Sequence, residues 1–212
     1  MGEQMKSISP YDQIYSDNYK LLIGAIVPRP IALVSTLNTN GTYNLAPFSF
    51  FTAISASPMI VAFCPMIRTI EEKKKDTVIN IEREKECVIN FVTEEMAERV
   101  NNCGKELQYG LSEFESAGLS IMPSEIVKAA RVKESPIHYE CKLRDILSYG
   151  DHVGAGSLIS VEVIKIHINE NLLDNGRSNS DIYKPLGRGA GNNWIKCDHT
   201  CQLDRQTRNQ IQ

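Results

Sequence analysis

Two stretches of this sequence place side chains whose types and spacing could do chemistry. In the first, Arg29-Pro30-Ile31-Ala32-Leu33-Val34-Ser35-Thr36 is followed by Gly41 and by Asn44-Leu45-Ala46-Pro47-Phe48-Ser49-Phe50-Phe51. Ser35 and Thr36 end one strand and are faced across a turn by Asn44, Ser49 and the backbone around Ala46 and Pro47. Such a set offers convergent donors and acceptors at one end of a barrel, and it suits a flat heterocycle with carbonyl and imide edges. Pro47 withholds a ladder donor, which marks an edge or a bulge where a ligand can approach the backbone. The same residues also read as a hairpin end in which Asn44 and Ser49 satisfy local backbone, and the pattern alone leaves both readings open.

The second stretch is Lys73-Lys74-Lys75-Asp76-Thr77, at the start of a predicted helix. Backbone N–H groups at a helix start, the positive end of the helix dipole, the Thr77 hydroxyl and the adjacent ammonium groups form a ready phosphate site. Arg68 adds a bidentate fork from the preceding loop. The competing reading is a solvated charge run neutralised by Glu71, Glu72 and Asp76.

The elements that must position these residues are mostly strands. A short helix is predicted around Asn18 to Ala25, and Pro28 and Pro30 stop it. PIALVST then reads as strand, Thr39-Asn40-Gly41 as a turn, and TYNLAPFSFFTAIS as strand again, so Ile31 to Ser55 is expected to form a hairpin. MIVAFC follows Pro58 as a further strand. KKKDTVINIEREKE suits a short helix with Asp76 or Thr77 as its N-cap, and CVINFV a strand after it. Thr93 opens a helix with Glu94 and Glu95 in its first turn, and Ser112-Glu113-Phe114-Glu115 fits a capping box ended by Gly118. HYECKLRDIL and SLISVEVIKIHI are strand-like, with turns at Tyr149-Gly150-Asp151 and Asp174-Asn175-Gly176. Strands outnumber helices and are joined by short turns, so the expected fold class is mainly β, an antiparallel barrel with helical decoration.

Composition narrows the function classes. The 212 residues suit one domain, 1–212, because no repeat, low-complexity tract or linker divides them. A balance of 23 basic against 26 acidic residues, net −3, gives no global field for nucleic acid or an anionic membrane. The apolar runs Leu21 to Val27 and Met59 to Ile67 fall short of the roughly 20 residues a membrane helix needs. The N-terminal residues lack a signal-peptide pattern, and the expected location is cytoplasmic. Six cysteines are too dilute for a disulfide scaffold and read as buried or idle thiols.

The order RPIALVST, NLAPFSFF, SASP, KDTVINI and CVINFV, followed by SEFESAGL, IMPSEIV, ESPIHYECKL, IKIHIN and YKPLGRGAGNNW, resembles the flavin reductase-like proteins of the FMN-binding split-barrel group, which includes flavoredoxin. The resemblance runs from about Tyr19 to Trp194. It implies FMN held without covalent attachment in a homodimer of six-stranded Greek-key barrels. Carried over by position, Ser35 and Thr36 end the strand that lines the flavin. Asn44, Ala46, Pro47, Ser49 and Phe50 contact the ring and ribityl chain, and Lys75 and Thr77, with Arg68, take the phosphate. Cys87 and Ser57-Pro58-Met59 depart from the usual pattern and leave the flavin site intact; Trp194 stands where relatives often carry Tyr, and either ring could pack near the flavin or across the dimer.

The resemblance implies an oxidoreductase that passes electrons from NADH or NADPH through FMN to free flavin or an acceptor protein. A flavoredoxin-like carrier that exchanges electrons with a protein partner and uses no nicotinamide is the alternative. Because the cofactor does this chemistry, no catalytic side chain is nominated. His152, in Gly150-Asp151-His152, could touch substrate. His167 lies in an apolar strand and reads as structural. Cys197-Asp198-His199-Thr200-Cys201 lacks a second ligand pair for a metal, and none is expected; residues 197–212 read as an extended or frayed tail.

Overall fold

The computed structural model describes residues 5–67, 74–105, 107–197, 201 and 203. Arg68, Lys73, His199 and most of the C-terminal tail lie outside the described residues, and with them the expectations attached to Arg68 and to the tail.

The chain begins with α1 (Tyr15–Ala25) and then forms β1 (Ala32–Leu37), β2 (Tyr43–Phe48), β3 (Phe51–Ala56) and β4 (Met59–Phe63). Helix α2 (Asp76–Glu84), β5 (Glu86–Phe91), α3 (Ala97–Asn102) and α4 (Glu113–Ala117) follow. Two short strands, β6 (Ile121–Met122) and β7 (Arg131–Val132), precede the long pair β8 (Ile137–Ser148) and β9 (Ser157–Ile168). The chain then forms the small hairpin of β10 (Leu173–Asp174) and β11 (Arg177–Ser178), helix α5 (Ser180–Tyr183), and a last hairpin of β12 (Leu186–Arg188) and β13 (Trp194–Lys196).

Seven strands form one antiparallel sheet in the order β2-β1-β5-β8-β9-β4-β3. Its two edge strands, β2 and β3, are consecutive in sequence and joined through Ser49 and Phe50. One bent stretch of chain therefore connects both edges without a ladder between them, and the barrel is not closed by hydrogen bonds among the described residues. This corrects the expected single hairpin from Ile31 to Ser55. The turn forms as expected, with Asn38 N–H donating to Thr42 O at 2.9 Å and Gly41 at φ +83°, and β1 pairs with β2. Beyond Phe48 the chain bends away, and Phe51 pairs with Phe63 of β4. Pro47 lies on the edge strand β2, where its missing N–H leaves no ladder bond unmade.

Period-two alternation divides the core. Ala32 and Val34 of β1 join Phe48, Phe63, Val78, Ile81, Ile89, Ile159 and Val161 inside the barrel and beneath α2. Leu33 faces the other way and joins Leu45, Met96, Val100 and Phe114 under α3 and α4. This alternation sends Thr36 toward α2 and Ser35 to the opposite face.

Two helix starts differ from their sequence signals. Lys75 is the N-cap of α2, so Asp76 and Thr77 lie in the first turn. Ser112 is the N-cap of α4 but makes no capping bond. Its hydroxyl donates instead to Tyr43 O at 2.8 Å, and the Glu113 carboxylate accepts from Leu45 N–H at 2.8 Å. The capping-box residues thus bind α4 to edge strand β2, whose outward backbone groups have no further strand to pair with. All six cysteines are unpaired, and no helix among the described residues is long and apolar enough to cross a membrane.

Candidate functional site

Thr36 of β1 stands directly opposite Asn44 of β2, on the face covered by α2. The Asn44 amide donates to Thr36 Oγ1 at 3.1 Å and to Thr77 Oγ1 in the first turn of α2 at 3.0 Å. From the second turn, Asn80 donates to the same Thr36 oxygen at 3.0 Å and to Asn38 Oδ1 at 2.8 Å, and it accepts from the Tyr109 hydroxyl at 3.0 Å. Thr36, Asn44, Thr77 and Asn80 are all buried. Four polar side chains from three elements thereby satisfy one another under the start of α2, and a buried polar network of this kind fixes where that start lies.

Above the network runs a groove with two lobes. The narrow lobe, about 80 Å³, is lined by Asn44, Ala46, Pro47, Lys75, Thr77 and Lys105, with Glu113 and Cys103 behind them. The wider lobe, about 380 Å³, is lined by Ile31, Pro47, Ser49, Asn101, Gly104, Lys105, Arg188 and Trp194. Pro47, Gly104 and Lys105 line both lobes, so the two adjoin. Gly104 sits where a Cβ would come within 3.2 Å of Asn101 O, and its absence lets the loop after α3 pass close to the groove.

Of the residues singled out from sequence, Asn44, Ala46, Pro47, Ser49, Lys75 and Thr77 line the groove. Ser35 and Thr36 have zero exposure and line neither lobe: Thr36 lies beneath the groove in the network, whereas Ser35 faces away from it and donates to Ala130 O on the opposite face. Phe50 is half-buried beside Tyr19, ring centroids 6.4 Å apart, and beneath the Arg29 guanidinium. Of the lysine run, Lys75 reaches the groove, whereas Lys74 is exposed and paired with Glu82. His152 is exposed and lines neither lobe. His167 is tied by Nε2 to the buried Glu140 carboxylate at 2.6 Å, as a structural histidine would be.

Lys105, Asn101 and Arg188 were not identified by sequence reasoning, whereas Trp194, which the resemblance put either near the flavin or across the dimer, lines the wider lobe. Gly104-Lys105 just after a helix was the available signal for the first, a small residue beside a cation. Arg188 gave none, because the fold brings it to the groove across the whole chain. It gets there through Arg29, which is 4% exposed. Arg29 and Arg188 exchange backbone hydrogen bonds at 2.9 and 2.8 Å. The Arg29 guanidinium donates to Ile23 O and Ile26 O at 2.7 Å and to Gly189 O at 2.8 Å, and its Nε reaches Ser49 Oγ at 3.4 Å. One buried cation thus joins the end of α1, the β2–β3 corner and the β12–β13 hairpin.

A model of the flavin reductase like domain matches residues 24–185. The chain belongs to that family. An uncharacterised protein of Aquifex aeolicus is 38% identical over 87% of this chain and 92% of its own length. The structure is similar to nitrilotriacetate monooxygenase component B from Bacillus cereus, with a TM-score of 0.90 and 33% identity, covering 95% of this chain and all of that one. It is also similar to the 2-nitrobenzoate 2-nitroreductase of Pseudomonas fluorescens, with a TM-score of 0.85 and 30% identity, covering 96% and 98% of the two chains. The fold is therefore that of the split-barrel flavin reductases, and the family is one of flavin-binding oxidoreductases.

At the narrow end two ammonium groups, a hydroxyl and the first turn of α2 stand together with the carboxylates of Asp76 and Glu113. At the middle, Ala46 and Pro47 give a small flat wall, and beyond it Ser49 has a hydroxyl proton to donate while accepting from Arg29. Burial pushes the Cys103 thiol up to about 12, with the Glu113 carboxylate adding to the effect, so the one thiol behind the groove stays protonated. Among the described residues that line the two lobes there is no histidine.

Proposed function

We propose that this chain binds FMN in the groove and passes electrons from NADH or NADPH through it to an acceptor, either free flavin or a partner protein. The observation that supports this most is that the two lobes meet at Pro47, Gly104 and Lys105, with the ammonium groups of Lys75 and Lys105 at the narrow end and the small apolar side chains of Ala46 and Pro47 beside them. Bound there, FMN supplies the two-electron chemistry. Lys75, Lys105 and Thr77 hold the phosphate, with the Asn44 bond keeping Thr77 in place. Pro47 and Ala46 support the ring, Ser49 donates to its polar edge, and the wider lobe leaves one face open for the nicotinamide and the acceptor. Relatives named as a monooxygenase component and as a nitroreductase support delivery of electrons to an external acceptor.

In this reading the working unit is a homodimer. An apolar hollow of about 440 Å³ lined by Tyr15, Tyr19, Leu22, Met66 and Ile67, together with the exposed Ile54 on edge strand β3, gives a surface that a second copy would cover. Six unpaired thiols support a reducing, cytoplasmic location.

Purified protein tests the reading directly. FMN should bind, and anaerobic NADH or NADPH should bleach it; a yellow protein that neither nicotinamide bleaches would act as a carrier, and a protein that takes up no FMN would end the proposal. The variant Lys75→Ala with Thr77→Ala removes two charge-assisted contacts to phosphate, about 3 kcal/mol or roughly a hundredfold in FMN affinity. Riboflavin, which has no phosphate, should bind to wild type and variant alike. Equal losses for both ligands would place the phosphate elsewhere.

A further inference from the structure

The wider lobe has a second wall whose chemistry FMN leaves unused. Opposite Pro47 and Ser49 stand Arg188 and Trp194, with the guanidinium carbon 4.9 Å from the indole centroid. Arg188 gives two of its five N–H donors to backbone, Nη2 to Gly191 O at 3.0 Å and Nη1 to Asn193 O at 3.5 Å. No carboxylate lies within ion-pair distance of it among the described residues. Another cation stands near it: burial lowers the Arg29 guanidinium from its ordinary value, and the charge of Arg188 adds to that. Arg29 cannot serve an incoming ligand, since it is 4% exposed and four of its five N–H donors are bonded to Ile23, Ile26, Gly189 and Ser49. Arg188 is therefore the available fork. It is fixed in place by the two-way backbone bridge to Arg29 and by the indole beneath it.

A planar guanidinium without a counter-ion, beside an aromatic face in a concave lobe, matches a carboxylate attached to a ring: the fork takes both oxygens and the indole takes the ring. We propose that the Arg188–Trp194 wall binds an aromatic carboxylate. The acid stacks on the indole and faces the flavin ring on the Pro47 wall. This assignment rests on the proposed flavin site for its role, although the binding step itself does not need flavin.

Trp194 is the only tryptophan in the chain, so its fluorescence reports on this wall without background. Benzoate added to the flavin-free protein should quench it saturably, while benzamide, the same ring without the charge, should not. Arg188→Gln should weaken benzoate at least about tenfold and leave FMN affinity at the Lys75 end unchanged. Should that variant fold poorly by circular dichroism, Arg188→Lys keeps the charge, loses the fork, and is expected to weaken benzoate by an intermediate factor. Equal quenching by benzoate and benzamide, or no effect of either Arg188 variant, would overturn the proposal. Complete displacement of benzoate by inorganic phosphate at matched ionic strength would also overturn it, showing a site for anions without selection for a ring. If FMN fails to bind while benzoate behaves as described, the flavin reading falls and the wall stands. If FMN binds and Arg188→Gln abolishes that binding, the guanidinium belongs to the flavin and the proposal falls alone.

Discussion

Replacing Arg29 by Met probes the junction on which the groove depends. The three carbonyls that Arg29 bonds at 2.7, 2.7 and 2.8 Å include Ile23 O, in the last turn of α1, and Ile26 O, just beyond it, where helix carbonyls have no partner of their own and a cation is favoured. Hydrogen bonds to a charged group are worth about 1.5 to 3 kcal/mol each, and they do not add fully when one side chain makes them all. Methionine fills much of the volume but leaves the three carbonyls unbonded, so a loss of about 4 kcal/mol is expected. Arg29→Lys keeps the charge without the planar fork and should lose about half of that. The Gly189 bond ties down the hairpin that carries Trp194, so urea unfolding followed by Trp194 fluorescence measures the effect. The folded-state emission of Arg29→Met should also shift to the red as the hairpin loosens and the indole meets water. A midpoint and slope within 1 kcal/mol of wild type, with unchanged emission, would refute the view that this buried cation holds the hairpin to the barrel.

Further outcomes follow from buried groups elsewhere. Burial alone would raise the Glu140 carboxyl, but bonds from the backbone N–H groups of Glu125, Ile126 and Val127 and from His167 outweigh it and bring it down to about 2. Against an ordinary value of 4.5 this contributes about 3 kcal/mol, present above pH 4.5 and lost as pH falls toward 2; Glu140→Gln should be that much less stable at pH 7 and should lack that part of the acid transition. Burial pushes the His138 ring down to about 4, so the unfolded chain takes up its proton first and about 3 kcal/mol is lost between pH 6.5 and 4. His138→Gln, which keeps a donor for Val132 O, should flatten unfolding free energy over that interval, and an unchanged slope would count against a neutral buried ring. Leu22→Glu on the exposed face of α1 should convert the proposed dimer to monomer in sedimentation; a wild-type monomer, or a variant that stays dimeric, would remove that interface.

The sequence patterns located the strands of the seven-stranded sheet, though not the six short strands β6, β7 and β10 to β13, because alternation and turn residues act over a few positions. Ala32 to Leu37 alternates between two cores, and Asn40-Gly41 closes the turn that sets Thr36 against Asn44. They could not show that TYNLAPFSFFTAIS is two strands at opposite edges of one sheet, since the bend at Ser49 is decided by which distant strand, β1 or β4, offers free backbone to pair with. The capping signal at Ser112 failed for a related reason. Its hydroxyl and the next carboxylate found backbone partners on β2, and a tertiary hydrogen bond displaced the local one.

The candidate site divides along the same line. Lys75, Thr77, Asn44, Pro47 and Ser49 were legible because a helix start and a proline-bearing edge strand have local chemistry that residue type and spacing express. Whether those residues meet at all was a tertiary matter, settled by the bonds of Asn44 and Asn80 that seat α2 on the first hairpin. So was the opposite wall, where Arg29 and Arg188 lie 159 positions apart in the sequence and are brought together by one buried guanidinium. The sequence by itself determined the element types, the family and the chemistry of one side of the groove. Only the fold decided what faces it, because a groove has two walls and no local pattern in the chain records which segment will supply the second.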